Sequence, residues 1–221
     1  MPTAQKTKPT QQTNAAASEQ RIVLHNISWE TYEHLLADHE NASVPRFTYD
    51  RGDLEIMSPL AEHEETNRAI ALLVDLVLAE WDINARNFGS TTFRREDAQR
   101  GFEPDSCFYV QRAPAIRGKR RVDLRVDPAP DLVIEIDITH SSIDRLALFA
   151  ALDVSEVWRY DAGRFGMMIL ESGSYSSTEV SRVLPGVTAD DVSTLVAEVE
   201  LHGRAAWLRR VQEWARTLPR P

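Results

Sequence analysis

Two acid-bearing segments carry the chemistry that this 221-residue chain can be expected to do: Pro104-Asp105 and, 30 residues further on, Glu135-Ile136-Asp137. Carboxylates, with backbone carbonyls and waters, are the hard oxygen donors that a Mg²⁺ ion takes. An ion so held polarises a phosphate and helps form the attacking hydroxide, which is what metal-dependent phosphodiester cleavage requires. Neighbouring strands lie about 4.8 Å apart, so acids on adjacent strands suit one ion. A second Pro-Asp, at Pro130-Asp131, competes for the first role. Along one strand, at roughly 3.3 Å per residue, Asp131 lies about 13 Å from Glu135, too far to share an ion easily. Among 11 prolines, one followed by aspartate is unsurprising. Where the acids sit therefore matters more than the dipeptide.

The elements that must position these acids follow from periodicity. In residues 131–138, Leu132, Ile134, Ile136 and Ile138 alternate with Asp131, Val133, Glu135 and Asp137. A period of two puts the acids on one face of an otherwise apolar, central strand. A helix is expected over 142–152, then strands over 156–160 and 164–170, with Ser172-Gly173 turning into a hairpin that runs to about 183. Upstream, 22–24 reads as a short strand. Ser28 caps a helix to about 40, with Trp29, Tyr32, Leu35 and Leu36 at helical spacing. Residues 46–50 and 53–57 flank Arg51-Gly52 as a hairpin. Ser58-Pro59 reads as a helix start. The long helix that follows, over 62–81, carries Ile70, Leu73, Val74, Val77 and Leu78 on a broad apolar face. Segments 87–93 and 105–110 are expected strands, and 111–127 a loop. The stretch 190–218 reads as an amphipathic helix anchored by Trp207 and Trp214. No internal repeat is visible.

Composition narrows the classes. The chain is 43% hydrophobic and 27% charged, ordinary for a globular protein, and its length suits one domain with appendages. No run of about 18 apolar residues exists to span a membrane. Residues 1–20 hold no apolar run for a signal peptide and read as a disordered tail. One cysteine, Cys107, excludes an internal disulfide framework and a Cys-rich zinc site; a reducing cytoplasm is the expected compartment. A formal net charge of -9 argues against nonspecific coating of nucleic acid. It leaves room for an enzyme that meets DNA through a local basic patch. Lysine occurs only at Lys6, Lys8 and Lys119, so arginine supplies nearly all positive charge beyond the tail.

Five motifs then stand in order: Tyr-Asp-Arg-Gly-Asp-Leu-Glu-Ile-Met-Ser-Pro over 49–59, His63-Glu64, Glu103-Pro104-Asp105, Pro130-Asp131-Leu132-Val133-Ile134-Glu135, and Leu-Phe-Ala-Ala-Leu-Asp-Val-Ser-Glu-Val-Trp-Arg-Tyr-Asp over 148–161. Together they resemble the "putative restriction endonuclease" family of the PD-(D/E)XK nuclease superfamily, over roughly residues 29–183. The resemblance implies an α+β fold with a mixed sheet flanked by helices, and an Mg²⁺-dependent (or Mn²⁺-dependent) endonuclease acting on DNA. It implies a nuclease-like domain over 21–185 and a helical extension over 186–221. Its metal ligands fall on Asp105, Glu135 and the Ile136 carbonyl, with Glu64 as the added acid of the long helix. The departure is the motif lysine. Asp137 stands in its place, and the substitute on the next helix is Arg145. Arginine cannot act as a base, so metal-activated water is the expected nucleophile, with Arg145 as electrostatic support for the phosphate.

Other residues carry plainer readings. Asp137 reads as a second acid or a strand-end charge. His63 and His140 read as hydrogen-bonding histidines, Ser141 and Ser142 as caps of the next helix, and Cys107 as a small buried hydrophobe. The dense basic run Arg112, Arg117, Lys119, Arg120, Arg121 and Arg125 is either a solvated loop or a nucleic-acid contact, joined by Arg94, Arg95 and Arg100. No aromatic residue interleaves with it, so stacking on single strands is not supported. The rival to catalysis is a nuclease fold kept for nucleic-acid binding or assembly. A weaker third reading is a metal hydrolase acting on another phosphoester. Two copies of the chain, assembled through the C-terminal helices, would suit cleavage of two strands.

Overall fold

The computed structural model describes residues 20–40, 42, 44–136, 141–161, 163–199 and 201–221. Asp137, Ile138 and His140, and nearly all of the expected tail, lie outside the described residues.

Among the described residues, the strands form two sheets. The first takes its strands from the N-terminal half: β1 (Gln20–Leu24), β2 (Arg46–Asp50), β3 (Asp53–Ser58), β5 (Phe93–Arg95) and β6 (Arg100–Phe102). Their order is β1-β3-β2-β6-β5, and every pairing is antiparallel. The β2–β3 hairpin turns on Arg51 (φ 50°) and Gly52 (φ 102°), with Asp50 opposite Asp53. Two successive positive φ values match the right-handed strand twist, which is why glycine serves here. Helix α1 (Trp29–Asp38) starts at Ser28, whose Oγ accepts the N–H of Thr31. It packs Tyr32 and Leu36 against Phe47, Tyr49 and Leu54. The Tyr32 and Tyr49 rings stack at 4.9 Å.

The second sheet holds β4 (Arg86–Asn87), β7 (Ser106–Tyr109), β8 (Leu132–Ile136), β9 (Glu156–Asp161), β10 (Arg164–Glu171) and β11 (Ser174–Thr178), in the order β11-β10-β9-β8-β7-β4. Strand β8 is interior and buried along its whole length. It runs antiparallel to β7 and parallel to β9, the latter reached through helix α3 (Arg145–Ala151). The expected alternation holds. Leu132, Ile134 and Ile136 pack with helix α2 (Ala61–Glu80), whereas Val133 packs with Leu148 and Phe149 of α3. Burying side chains of this size contributes about 1.5–3 kcal/mol each. A strand covered on both faces reads as near-continuous apolar sequence, so Glu135 stands out within it.

Several boundaries differ from the sequence expectation. The strand after Ser172-Gly173 ends at Thr178 rather than near 183. Ser58 ends β3 opposite Gln20 rather than capping α2, because Pro59 holds it extended. The expected strand over 87–93 is divided between two sheets. Asn87 accepts the N–H of Gly89 at 2.8 Å in a turn that carries the chain from β4 to β5, and β6 returns as the partner of β5. The expected C-terminal helix is two helices, α4 (Ala189–Ala197) and α5 (Arg204–Thr217), separated before Gly203. The break lets α5 fold back onto α2. Trp207 and Trp214 are both buried there, and Trp207 Nε1 donates to the Leu195 carbonyl at 2.8 Å. Those tryptophans serve this chain's own core. Helix α3 is capped by Asp144, which accepts the N–H of Ala147, rather than by Ser141 or Ser142.

Candidate active site

Asp105 immediately precedes β7, and Glu135 lies on β8. The antiparallel register pairs Ser106 with Ile134, so one further step sets Asp105 opposite Glu135. A hydrogen bond fixes that step: the Ile136 N–H donates to Asp105 Oδ2 at 2.6 Å. Asn67 of α2 donates to the Asp105 carbonyl at 3.0 Å. Both acids are buried, with Asp105 4% and Glu135 7% exposed. Glu135 is therefore no solvent-facing acid on an edge strand. Buried charges need partners, and each acid has them. Arg46 and His63 both meet Asp105 Oδ1, His63 Nε2 at 2.8 Å. Arg145 Nη2 lies 3.0 Å from one oxygen of Glu135 and 3.2 Å from the other.

Helix α2 brings the third acid of the expected set. Glu64 is half-buried and pairs with Arg46, the same guanidinium that pairs with Asp105. One arginine thus stands between the two acids. Sequence reasoning passed over Arg46, which reads there only as the first residue of a strand. It also passed over Glu55, a 1% exposed acid on β3. Glu55 receives Arg21 at 2.9 Å and the Ser141 hydroxyl at 2.6 Å, and lies 3.6 Å from Arg145. The site is where the first sheet meets the second. Its pieces come from β2, β3, α2, β7, β8 and the start of α3.

Asp131 has a different environment. Its Oδ2 accepts the N–H groups of Val110 at 2.7 Å and Arg112 at 2.9 Å, so it clamps the chain leaving β7. Burial outweighs those bonds and raises its pKa. Cys107 is fully buried, and desolvation pushes its thiol up; it takes no part in the site.

The basic run is mixed. Lys119 pairs with Asp127, Arg125 with Asp123 and Arg121 with Glu40, while Arg112 reaches Asp131 and Asp153. Arg117 and Arg120 are exposed. Arg120 and Arg121, with Arg94 and Arg46, line a groove of about 670 Å³ that Glu33, Glu40 and Glu103 also line. Arg46, which pairs with Asp105 and Glu64, is also among its lining residues. A smaller pocket of about 310 Å³ lies on the α3 side of Glu135, beside Arg145 and Arg159.

The donor set fits a hard divalent cation in kind: two carboxylates on adjoining strands and a backbone carbonyl at Ile136, with Glu64 near. Each of the three carboxylates is paired with an arginine: Asp105 and Glu64 with Arg46, and Glu135 with Arg145. Among the described residues, no three His, Cys, Asp or Glu side chains are gathered closely enough to hold an ion. Among the same residues, no helix is long and apolar enough to cross a membrane.

A family model described as "Putative restriction endonuclease" matches residues 29–201. Among solved structures, one similar chain is a "putative nuclease belonging to DUF820" from Anabaena variabilis, with 14% identity and a TM-score of 0.45, covering 77% of this chain and 92% of that one. No curated protein matches this chain.

Proposed function

This chain belongs to the Uma2 family of putative restriction endonucleases, and from that premise we propose that it is a divalent-metal-dependent nuclease cleaving DNA at Asp105 and Glu135. Membership supports a nuclease-like function. The observation that supports this site is the Ile136 N–H to Asp105 bond, which sets one acid opposite the other where β7 begins and β8 ends. In this reading Asp105, Glu135 and the Ile136 carbonyl hold Mg²⁺ or Mn²⁺, with Glu64 as an outer acid. The ion supplies Lewis-acid polarisation of the phosphate and a nucleophile at neutral pH.

The chain's own residues do the rest. Both acids are buried beside arginines, in a setting where electrostatic interactions act more strongly than in water. Arg145 is held against Glu135 and 5.8 Å from the Phe149 ring centre, so its guanidinium is aimed before substrate arrives. It receives a phosphate oxygen and offsets charge developing there. Arg94, Arg117, Lys119, Arg120 and Arg121 form the nucleic-acid side of the reading, of which Arg94, Arg120 and Arg121 line the groove. Two copies acting together would serve the two strands, and sedimentation velocity tests that.

A second reading, a nuclease fold kept for binding, is favoured by one observation: arginines already pair with both acids. Metal-dependent nicking of supercoiled plasmid that requires both acids separates the two.

A further inference from the structure

Arg46 occupies an unusual position for a basic residue. It is 6% exposed, starts β2, and places one guanidinium nitrogen on Asp105 and another on Glu64. Its backbone is fixed by the strand ladder, opposite Met57, and by the next residue, whose N–H donates to Glu103 at 2.9 Å. The side chain is held less completely. Its buried Nε finds no hydrogen-bond partner among the described residues. Unpaired buried donors are costly, so this guanidinium is housed mainly by its two acids. It also lines the groove that carries Arg94, Arg120 and Arg121. That groove, of about 670 Å³, offers a displaced side chain room to go.

We propose that Arg46 is a resident counter-cation that competes with the divalent ion for Asp105 and Glu64 and swings into the groove when metal loads. The inference rests on the metal reading given above. A guanidinium and a divalent ion cannot take the same carboxylate oxygens, and like charges a few ångströms apart repel strongly in a partly buried setting. Apparent metal affinity is therefore the intrinsic affinity less the cost of moving Arg46. Released, the guanidinium adds a positive charge where a phosphate backbone would run. Metal and nucleic acid then strengthen one another's binding, as linkage requires.

The test is calorimetric titration of Mn²⁺ into the full chain, for wild type, Arg46→Met, Arg46→Lys and Asp105→Asn, with thermal unfolding alongside. Arg46→Met is expected to bind Mn²⁺ at least about tenfold tighter than wild type, with a larger metal-dependent rise in Tm. Lysine keeps the charge but cannot bridge two carboxylates in the same way, so Arg46→Lys should bind a few-fold tighter. It serves as the reporter if the methionine variant does not fold. Asp105→Asn should abolish binding. If neither Arg46 variant binds tighter than wild type while Asp105→Asn still loses the ion, the counter-cation role is wrong and the metal site stands. Absence of Mn²⁺ binding in wild type and in the Arg46 variants overturns both.

Discussion

Asp105 Oδ2 accepts the backbone N–H of Ile136 at 2.6 Å. This bond joins an acid at the start of β7 to the strand that carries Glu135. The pair has a defined spacing because the Asp105 side chain is part of the strand ladder, and Glu135 is its cross-strand neighbour. The arrangement separates Asp105 from Asp131, the acid of the other Pro-Asp, which serves the backbone at Val110 and Arg112.

That separation predicts different phenotypes. Asp131→Ala leaves two backbone N–H groups without their acceptor, and should cost about 2–4 kcal/mol of stability. Urea denaturation measures this, and any remaining folded protein should bind Mn²⁺ as wild type does. Loss of metal binding in folded Asp131→Ala would place Asp131 in the site.

Arg145 lies between two buried acids, Glu135 and Glu55. Its removal leaves both short of a partner, so Arg145→Ala should cost about 3–5 kcal/mol and abolish cleavage. Arg145→Lys should recover most of the stability and only part of the rate, because an ammonium lacks the planar fork. Cleavage at the wild-type rate in Arg145→Ala, under conditions where it is folded, would remove the residue from the reaction.

Arg120 and Arg121 line the groove that leads to Arg46. Their joint replacement by alanine should weaken duplex binding regardless of sequence. It should also reduce the slope of log K against log salt by up to about two, roughly one per phosphate contact. Fluorescence anisotropy at several salt concentrations gives the slope. An unchanged slope would make this loop a solvated surface.

Glu103 gives a pH signature. Burial raises its pKa, outweighing hydrogen bonds from Thr92 and the Phe47 N–H. An unfolded glutamate titrates near about 4.3, so between that value and the raised one the folded state binds more protons. Its contribution to stability is then present at low pH and lost as pH rises through the folded pKa. Glu103→Gln should flatten this part of the stability profile while keeping an acceptor for Phe47. Urea midpoints measured across the acid range check it; an unaltered profile would contradict the assignment.

Much of the fold and part of the site are legible in the sequence, for physical reasons that can be named. Strand β8 announces itself because Leu132, Ile134 and Ile136, spaced by two around an acid, match the pleat of a buried strand and not the 3.6-residue turn of a helix. The β2–β3 hairpin is carried by Arg51-Gly52. The family resemblance, found on motifs from 49 to 161, agrees with the family model over 29–201. Arg46 and Glu55 escape because their importance comes from contacts across large sequence separations. Arg46 meets Glu64 and Asp105, and Glu55 meets Ser141 and Arg145. Neither residue type is unusual on a strand. The division of 87–93 between two sheets escapes for a similar reason. Period and propensity identify strands, but the sheet a strand joins depends on the turn, here set by Asn87 and Gly89.

The central claim is that Asp105 and Glu135 are the acids of a metal-dependent nuclease. The measurement that tests it most directly is nicking of supercoiled plasmid in Mg²⁺ or Mn²⁺ by wild type, Asp105→Asn and Glu135→Gln, each first shown to be folded. The account predicts nicking by wild type that stops when the metal is chelated, and its loss in both variants by at least about 10²-fold. Nicking that survives either substitution, or a folded wild type that nicks with neither metal, would contradict it.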